Sequence, residues 1–229
     1  MSLLWGNFMD LRDKIVLVTG GAGAVGSVLT RLLIERDCKK IIILDNLSSG
    51  FEANIPKSSK ILFINGDVAD DTVLAKVFSE SIDVVFHLAA NFANQNSVDN
   101  PTLDLHTNGQ GTLKIFMQSQ KHDVKLVVYV SSSCVYGGKQ GELHEDDINF
   151  ELDTPYAITK LLGEKYATYF HEIQRLDIVI LRYFNSYGPG ERPGKYRNVI
   201  PNWIAMALNN ESLVITGTGH DISKQTNSN

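Results

Sequence analysis

The sequence predicts an α/β fold, a doubly wound parallel sheet with helices on both faces. Six short runs of nearly continuous Val, Ile and Leu are typical of strands that are buried on both sides. Segments with helical spacing of apolar residues separate these runs. Alternation of strands and helices over this length favours parallel strands that are joined by crossover helices.

The predicted strands are short, and each is followed by a segment long enough to return along the sheet. We expect strands over residues 15–19, 41–44, 61–64, 84–88, 126–130 and 178–181. We expect helices near residues 24–36, 71–80, 102–121, 156–174 and 197–209. Pro101 stands at the start of one helix, and Thr154-Pro155 opens another with a capping residue before proline.

A glycine-rich turn joins the first strand to the first helix. Gly20, Gly23 and Gly26 permit a tight turn, a close approach of the backbone to a pyrophosphate, and close packing of helix against strand. The phosphates would lie at the positive N-terminus of that helix. Asp45 ends the second strand, where its carboxylate can accept hydrogen bonds from both hydroxyls of an adenosine ribose. The pattern predicts a dinucleotide site.

The end of the second strand also indicates which dinucleotide binds. The charge of Asp45 would repel a ribose 2′-phosphate. The next four residues contain no arginine or lysine to counter it, and they are Asn46, Leu47, Ser48 and Ser49. We therefore expect NAD rather than NADP.

Two further strand ends fit the same site. Asp67 follows the third strand, where an acid could bind the adenine amino group while Val68 packs near the ring. The fourth strand ends in small or apolar residues that let a cofactor approach the backbone, namely Leu88, Ala89 and Ala90. His87, just before them, is expected to be a packed histidine.

Tyr156 and Lys160 carry the chemistry that the sequence predicts. Residues four apart lie on one face of a helix, so the Lys160 ammonium can hold positive charge near the Tyr156 phenol. A nearby cation lowers a phenol pKa from its ordinary value of about 10 toward the working pH. A hydroxyl from the serine run 131–133 could bind the oxygen of a carbinol or ketone. Such a trio suits proton transfer coupled to hydride transfer.

Composition excludes several other classes of protein. The chain has 229 residues, of which 43% are hydrophobic and 21% charged, as expected for a protein with a substantial core. Its net charge of −5 offers no basic surface to nucleic acid or an anionic membrane. Two cysteines make no disulfide framework, and no Cys/His spacing suggests a metal site. We expect a reducing, cytoplasmic setting.

Three parts are expected along the chain. Residues 1–13 carry no signal peptide or membrane span and form an N-terminal arm or a tag remnant. Residues 14–215 form the NAD-binding domain, with the catalytic residues and part of a substrate site. Residues 216–229 are polar and lack apolar periodicity, so a disordered tail is expected there.

Many motifs in order give the chain a family resemblance. They are Thr19 to Gly23, Leu44 to Gly50, Gly66-Asp67-Val68, His87 to Ala90, Asn108 to Thr112, Ser131 to Gly137, Tyr156 to Lys160, and Arg182 to Pro189. With these, the chain resembles the extended short-chain dehydrogenase/reductases, which have a Rossmann fold. It resembles most closely their NAD-dependent nucleotide-sugar epimerases and dehydratases, such as UDP-glucose 4-epimerase. The resemblance covers about residues 14–215.

The resemblance implies a fuller cofactor site than the glycine turn alone. It places Phe184 beside the nicotinamide and has Lys160 bind the nicotinamide ribose. The implied NAD-binding residues are Gly20, Gly23, Ala24, Val25, Gly26, Asp45, Asn46, Leu47, Ser48, Ser49, Gly50, Asp67, Val68, Leu88, Ala89, Ala90, Asn91, Asn108, Ser132, Tyr156, Lys160 and Phe184.

The resemblance also implies catalytic and substrate roles. Ser132 is the hydroxyl residue of the triad, because it lies three positions before the valine of Val135-Tyr136. Tyr156 takes the proton of a sugar hydroxyl, and Lys160 lowers the pKa of the tyrosine. The implied substrate residues are Ser132, Tyr156, Asn185, Asn198 and Val199, the last three as diphosphate contacts. Structural roles are expected for Ser131, Ser133, Arg182 and Tyr183.

The residues after Ser132 favour one reaction among those of the family. The resemblance implies a shared first step, oxidation of a sugar hydroxyl by NAD, and an acidic residue after the triad hydroxyl in 4,6-dehydratases. Here Ser133 and Cys134 follow, and neither supplies a carboxylate. We therefore expect a transient 4-ketone that is reduced again from its other face, which is epimerisation at C4.

Three alternatives stay open. Ser-Ser-Cys before an aliphatic-Tyr pair is similar to the GDP-sugar 3,5-epimerases and epimerase/reductases, in which this cysteine acts at carbon. Cys134 would then need an acid/base partner, for which Lys195 is a candidate. A 4,6-dehydratase is the second alternative. The third is an NAD-binding protein without activity, because similar proteins continue past residues 215–219 into a substrate-binding lobe; here either the sequence is a fragment or the lobe is absent.

The expected partners are small molecules and a second copy of the chain. A UDP-hexose is the expected substrate. The helices near 102–121 and 156–174 resemble those that form a four-helix dimer interface in the family, so we expect a homodimer.

Overall fold

The computed structural model describes residues 9–92, 94–139 and 141–215, and their strands form one parallel sheet. The strand order is β3-β2-β1-β4-β5-β6, with every neighbouring pair parallel. The strands are β1 (Ile15–Thr19), β2 (Lys40–Asp45), β3 (Ile61–Asn65), β4 (Val84–His87), β5 (Leu126–Ser132) and β6 (Ile178–Tyr183). The predicted doubly wound sheet is confirmed. Strand order reverses between β1 and β4, where such folds bind ligands.

The helices follow the predicted positions, with two additions. They are α1 (Ala24–Glu35), α2 (Asp71–Val77), α3 (Asn94–Asp99), α4 (Pro101–Asp104), α5 (Thr112–Lys121), α6 (Pro155–Glu172) and α7 (Val199–Leu208). A π-helical segment, Leu105–Gly111, joins α4 to α5. Helix α3 was not predicted, because its residues are almost all polar and show no apolar periodicity. The π-helical segment also has no signal in residue spacing.

Helix α6 begins where the sequence predicts, and its start is tied to α3. Thr154 is the N-cap, accepting a hydrogen bond from the Ala157 amide at 3.3 Å, and proline follows it. The buried Ser97 hydroxyl of α3 accepts a hydrogen bond from the Tyr156 amide at 3.0 Å. These bonds set the position of the first turn of α6.

The core lies on both faces of the sheet. Leu17 and Ile42 belong to the cluster that faces α2, α5 and α6, whereas Val18 and Ile43 belong to the cluster that faces α1. Successive residues of a strand point to opposite faces, so the central strands need apolar residues at every position. Each buried Leu or Ile contributes about 1.5–3 kcal/mol to stability.

Strand β6 departs from this pattern. Val179 and Leu181 are 44% and 39% exposed, so one face of this edge strand is open among the described residues. Its apolar sequence predicts burial on both faces, and that prediction is wrong for the part of the chain that the structure describes.

The described residues contain no helix long and apolar enough to span a membrane. Most of the predicted N-terminal arm, and all of the predicted tail 216–229, lie outside the described residues.

Candidate active site

A cavity of about 750 Å³ lies at the carboxyl ends of the strands. Its wall includes the glycine turn after β1, the end of β2, the end of β4, the end of β5 and the first turns of α6. The segment 183–198 completes it on the side of β6. Its volume is in the range of small-molecule and cofactor sites.

The glycine turn is packed so closely against neighbouring backbone that side chains at Gly20 and Gly26 would collide with it. Gly20 has φ +71°, and a Cβ there would lie 2.8 Å from the Ala89 amide nitrogen. A Cβ at Gly26 would lie 2.7 Å from the Gly21 Cα, inside van der Waals distance. Helix α1 starts directly behind the turn and directs its free N–H groups at the cavity end. This cradle fits the pyrophosphate of a dinucleotide.

Asp45 stands at the end of β2 with its carboxylate anchored to the turn. One oxygen accepts a hydrogen bond from the Ala22 amide at 2.9 Å, and the other accepts one from the Leu47 amide at 2.8 Å. Burial raises the pKa of the carboxyl, and the two amides lower it. Each oxygen retains a lone pair for a ribose hydroxyl. Asp45 lines the cavity, as expected for a ribose ligand.

A remote segment closes over the loop after β2. The Asn54 amide donates hydrogen bonds to the carbonyl oxygens of Ala22 and Gly190, both at 3.0 Å. The Arg197 guanidinium donates to the carbonyl oxygen of Ser49 at 2.7 Å. The sequence places no cation beside this loop, because Arg197 is nearly 150 positions away. Its role was therefore missed, and no local signal could have found it.

Most of the residues predicted for the cofactor and substrate line the cavity. They are Gly20, Gly23, Ala24, Val25, Gly26, Asp45, Asn46, Ser48, Ser49, Gly50, Val68, Leu88, Ala89, Ala90, Asn91, Ser132, Tyr156, Lys160, Phe184, Asn185 and Asn198. Four predicted residues do not line it, and they are Leu47, Asp67, Asn108 and Val199.

The four residues outside the lining have other contacts. Asp67 accepts a hydrogen bond from Asn46, 2.9 Å away, and so supports the loop after β2. Asn108 is buried and holds the backbone of Asn91. Leu47 donates its amide to Asp45, and Val199 begins helix α7.

The structure brings Ser132, Tyr156 and Lys160 together at the end of β5. Ser132 is the last residue of the strand, and its hydroxyl accepts a hydrogen bond from the Cys134 amide at 3.2 Å. The Lys160 nitrogen lies 5.7 Å from the centre of the Tyr156 ring. All three side chains are buried and line the cavity. The predicted triad is therefore assembled in space.

The electrostatics of the triad differ from the sequence prediction. Burial raises the pKa of Tyr156, with the nearby Cys134 adding to the rise and a hydrogen bond with Ser132 opposing it. Burial also lowers the pKa of Lys160 to about 8. The predicted lowering of the tyrosine pKa by Lys160 is wrong for the protein without a dinucleotide, because the cost of desolvating the phenolate dominates.

A buried ion pair supports β5, α6 and β6 from behind the triad. The Arg182 guanidinium donates two hydrogen bonds to the Glu164 carboxylate, both at 2.8 Å. The Ser131 hydroxyl donates a third, at 2.6 Å. The Arg182 guanidinium also donates to the Glu145 carbonyl oxygen at 2.7 Å and lies over the Tyr136 ring, 4.8 Å from its centre, which fits its expected structural role.

Cys134 lines the cavity close to the triad, but Lys195 does not contact it. The Cys134 thiol lies 3.5 Å from the side-chain oxygen of Asn94. The Lys195 ammonium instead binds Asp99 at 3.1 Å and the Tyr196 hydroxyl at 2.8 Å. The candidate pairing of Cys134 with Lys195 is therefore not made.

Comparison with known proteins identifies the same fold. Residues 16–222 match the model of the NAD dependent epimerase/dehydratase family. The structure of the epimerase Mth375 from Methanothermobacter thermautotrophicus is 55% identical, with a TM-score of 0.89 over 91% of this chain. A UDP-N-acetylglucosamine 4-epimerase from Methanobrevibacter ruminantium, in complex with UDP-N-acetylmuramic acid, is 39% identical, with a TM-score of 0.84 over 91% of this chain and 67% of its own.

A UDP-glucose 4-epimerase of Halalkalibacterium halodurans is 36% identical to this chain over 84% of its length. The chain spans 59% of that enzyme and 62% of the Methanothermobacter protein, less than two thirds of either.

Proposed function

Since the chain belongs to the NAD-dependent epimerase/dehydratase family, we propose that it catalyses epimerisation of a nucleotide sugar at C4. The observation that carries the proposal is the common cavity. The glycine cradle and Asp45 lie at one part of its wall, and Ser132, Tyr156 and Lys160 lie at another. One molecule of NAD can therefore lie between its phosphate cradle and the residues that move the proton.

The chain's residues would supply proton transfer and orientation. NAD, when bound, supplies a hydride acceptor and donor together with a positively charged ring. Ser132 binds the oxygen of the reacting carbinol or ketone. Tyr156 takes the proton of the sugar hydroxyl as the carbinol is oxidised and gives it back when the ketone is reduced. The raised pKa of Tyr156 favours donation of the proton to the ketone. Removal of the proton from the sugar hydroxyl depends on the positive charges of Lys160 and of the nicotinamide ring beside the phenol.

The acids of the cavity favour epimerisation over dehydration. Among the described residues that line it, the acidic ones are Asp45 and Glu191. Asp45 lies at the end of β2, and both of its carboxylate oxygens already accept hydrogen bonds from backbone amides. Ser133 and Cys134 follow Ser132, and neither supplies a carboxylate to assist loss of water. A 4-ketone formed here would be reduced again, and reduction from its other face inverts C4.

A 3,5-epimerase is the second candidate, and one observation favours it. Cys134 lines the cavity, and it is near enough to Tyr156 to be among the causes that raise the pKa of that phenol. A thiol beside the reacting sugar could remove a proton from carbon. The Cys134 thiol lacks the Lys195 partner that the sequence suggested, because Lys195 binds Asp99 instead. This weakens the case for a 3,5-epimerase.

The substrate we propose is a UDP-hexose. Similar proteins include a UDP-glucose 4-epimerase and a UDP-N-acetylglucosamine 4-epimerase. Asn185 and Asn198 line the cavity and are the proposed diphosphate contacts.

We also propose a homodimer in a reducing, cytoplasmic setting. Helices α4, α5 and α6 carry exposed apolar side chains that a second copy would cover, among them Leu103, Met117 and Ile158, which are 49%, 52% and 52% exposed. Both cysteines are free. Sedimentation at micromolar concentration tests the dimer, and a monomer there contradicts it.

Incubation with NAD and either UDP-glucose or UDP-galactose, followed by chromatography, tests the reaction. We expect each sugar to appear from the other. A 4-keto-6-deoxy product would identify a dehydratase instead. Solvent deuterium at C3 or C5 would identify the Cys134 reaction. Binding of NAD without turnover of either sugar would favour an NAD-binding protein without epimerase activity.

A further inference from the structure

Two buried charges at the triad have no ion-pair partner. Asp104, at the end of α4, is fully buried, and Lys160 of α6 is only 3% exposed. Within the described ranges neither takes part in an ion pair, whereas the buried Glu164 pairs with Arg182. Charged side chains are almost never fully buried unless they are paired, because desolvating a lone charge is costly. The two charges therefore require an explanation.

The hydrogen-bond partners of each charge are neutral. Asp104 accepts hydrogen bonds from the Thr159 hydroxyl at 2.6 Å and from the Asn108 side-chain amide at 2.7 Å. Lys160 donates to the Val130 carbonyl oxygen at 2.8 Å. Neutral groups replace part of the lost hydration of a buried ion, but they do not balance its charge. An opposite charge nearby is needed for the remainder.

Asp104 and Lys160 lie on adjacent elements and act on each other. Thr159, which donates to Asp104, is the residue before Lys160 on α6. Burial lowers the pKa of Lys160 to about 8, and the charge of Asp104 opposes that fall. Burial raises the pKa of Asp104, and the charge of Lys160 is among the causes that oppose the rise. Each charge therefore favours the ionised form of the other.

Most of the other titratable groups that face Lys160 carry no charge. They are His87 of β4, Tyr129 of β5, Cys134, and Tyr156 of α6. Burial lowers the pKa of His87 to about 3, so its imidazole is neutral. Burial also raises the pKa of both tyrosines, so their phenols stay protonated. The Cys134 thiol is the other group that could carry negative charge there.

We propose that Asp104 is the buried counter-charge that keeps Lys160 in its ammonium form, which makes Asp104 a positioning residue for the triad. Its value for catalysis rests on the proposed function, because Tyr156 needs a cation beside it to take a proton. The counter-charge itself does not depend on the reaction, and it can be measured without turnover.

A double-mutant cycle in urea unfolding tests the counter-charge. Asp104→Asn removes the charge but keeps the shape and the capacity for hydrogen bonds, and Lys160→Met removes the cation. At pH 7 we expect a coupling of at least about tenfold in the unfolding equilibrium constant, because Asp104→Asn costs less once there is no cation to balance. At pH 10 native Lys160 is neutral, so the coupling should be lost. A coupling that is absent at pH 7, or equal at both pH values, would overturn the proposal.

Thr159→Val is the matched control for the charge. It removes one hydrogen bond to Asp104 but leaves the carboxylate in place, so its coupling to Lys160→Met should be the same at pH 7 and pH 10. The cycle is repeated with Cys134→Ser, because a thiol can ionise in this range. Loss of the coupling in that background would assign the counter-charge to Cys134 and contradict the role of Asp104.

The outcome is decisive even if Asp104→Asn does not fold. Adding Lys160→Met should then restore folding, because it removes the unbalanced cation, and a double variant that stays unfolded would refute the counter-charge. Turnover is a separate observation. A protein that shows the coupling but converts no sugar nucleotide would contradict the proposed function alone.

Discussion

Lys160 donates a hydrogen bond from its ammonium to the carbonyl oxygen of Val130, 2.8 Å away, between helix α6 and strand β5. The bond holds a buried cation at the end of β5, beside Tyr156. Burial of this ammonium costs free energy, which is why its pKa falls to about 8.

The first prediction concerns stability and pH. The native pKa of Lys160 is about 8, whereas that of an unfolded lysine is about 10.4. Between these values the unfolded chain binds more protons, so this group makes the native state more stable as pH rises. Lys160→Met removes the effect. We expect the stability of the ligand-free wild type, relative to this variant, to increase from pH 8 to about 10.4, measured by urea unfolding.

Lys165→Met is the control for that series. Lys165 lies on the same helix with an exposed side chain, so its ammonium carries no comparable burial cost. Its difference from the wild type should stay constant over the same pH range. A constant difference for Lys160→Met would show that the ammonium is not buried in solution.

The second prediction concerns Tyr156. Tyr156→Phe keeps the ring that packs against Phe92 but removes the hydroxyl. General acid–base groups contribute about 10²–10⁴-fold to rates, so kcat should fall by that factor while NAD stays bound. Chromatography of the sugar nucleotides and the Kd of NAD measure the two quantities. Tyr169→Phe, on the exposed side of the same helix, should leave both unchanged. Persistent turnover in Tyr156→Phe would remove Tyr156 from its role.

The third prediction concerns the glycine turn. A Cβ at Gly26 would lie 2.7 Å from the Gly21 Cα and 2.9 Å from the Gly20 carbonyl carbon, so the turn must shift. Gly26→Ala should cost about 1–3 kcal/mol of stability, as overpacking does, and weaken NAD binding by at least about tenfold. Thermal unfolding and calorimetry measure these effects. Gly188→Ala is the control, because nothing lies within 4 Å of the Cβ that alanine would add there. Equal effects from the two variants would contradict the steric argument.

The fourth prediction concerns the ion pair behind the triad. Arg182 and Glu164 have side chains only 13% and 4% exposed, so removing one leaves a buried charge. Arg182→Met should cost about 3–5 kcal/mol in urea unfolding. The double variant Glu164→Leu, Arg182→Met should lose less than the sum of its single changes, because no charge is left unpaired.

An exposed ion pair provides the comparison for the fourth prediction. Lys60 and Asp37 lie 3.2 Å apart with side chains 34% and 77% exposed. Lys60→Met should cost less than about 1 kcal/mol. If Arg182→Met costs no more than Lys60→Met, the pair behind the triad is open to solvent.

The features that could be predicted are those that depend on residues close together in the sequence. Apolar runs such as that of β2 predict buried parallel strands, because every position of a central strand faces a core. Tyr156 and Lys160 share a helix face by spacing alone. The predicted strand over residues 126–130 ends two residues before β5 does, because Ser131 and Ser132 are polar but still pair with β6.

The sequence by itself determined the sheet, the glycine turn and the set of candidate catalytic residues, since each depends on spacing along the chain. Only the tertiary structure decided how the site is held and charged. Arg197 reaches Ser49, and Asp104 holds Asn108 against Asn91, through contacts between distant segments. The direction of the Tyr156 pKa depends on how far its hydroxyl is withdrawn from water. Burial of this kind is a property of the packed molecule, and no local pattern encodes it.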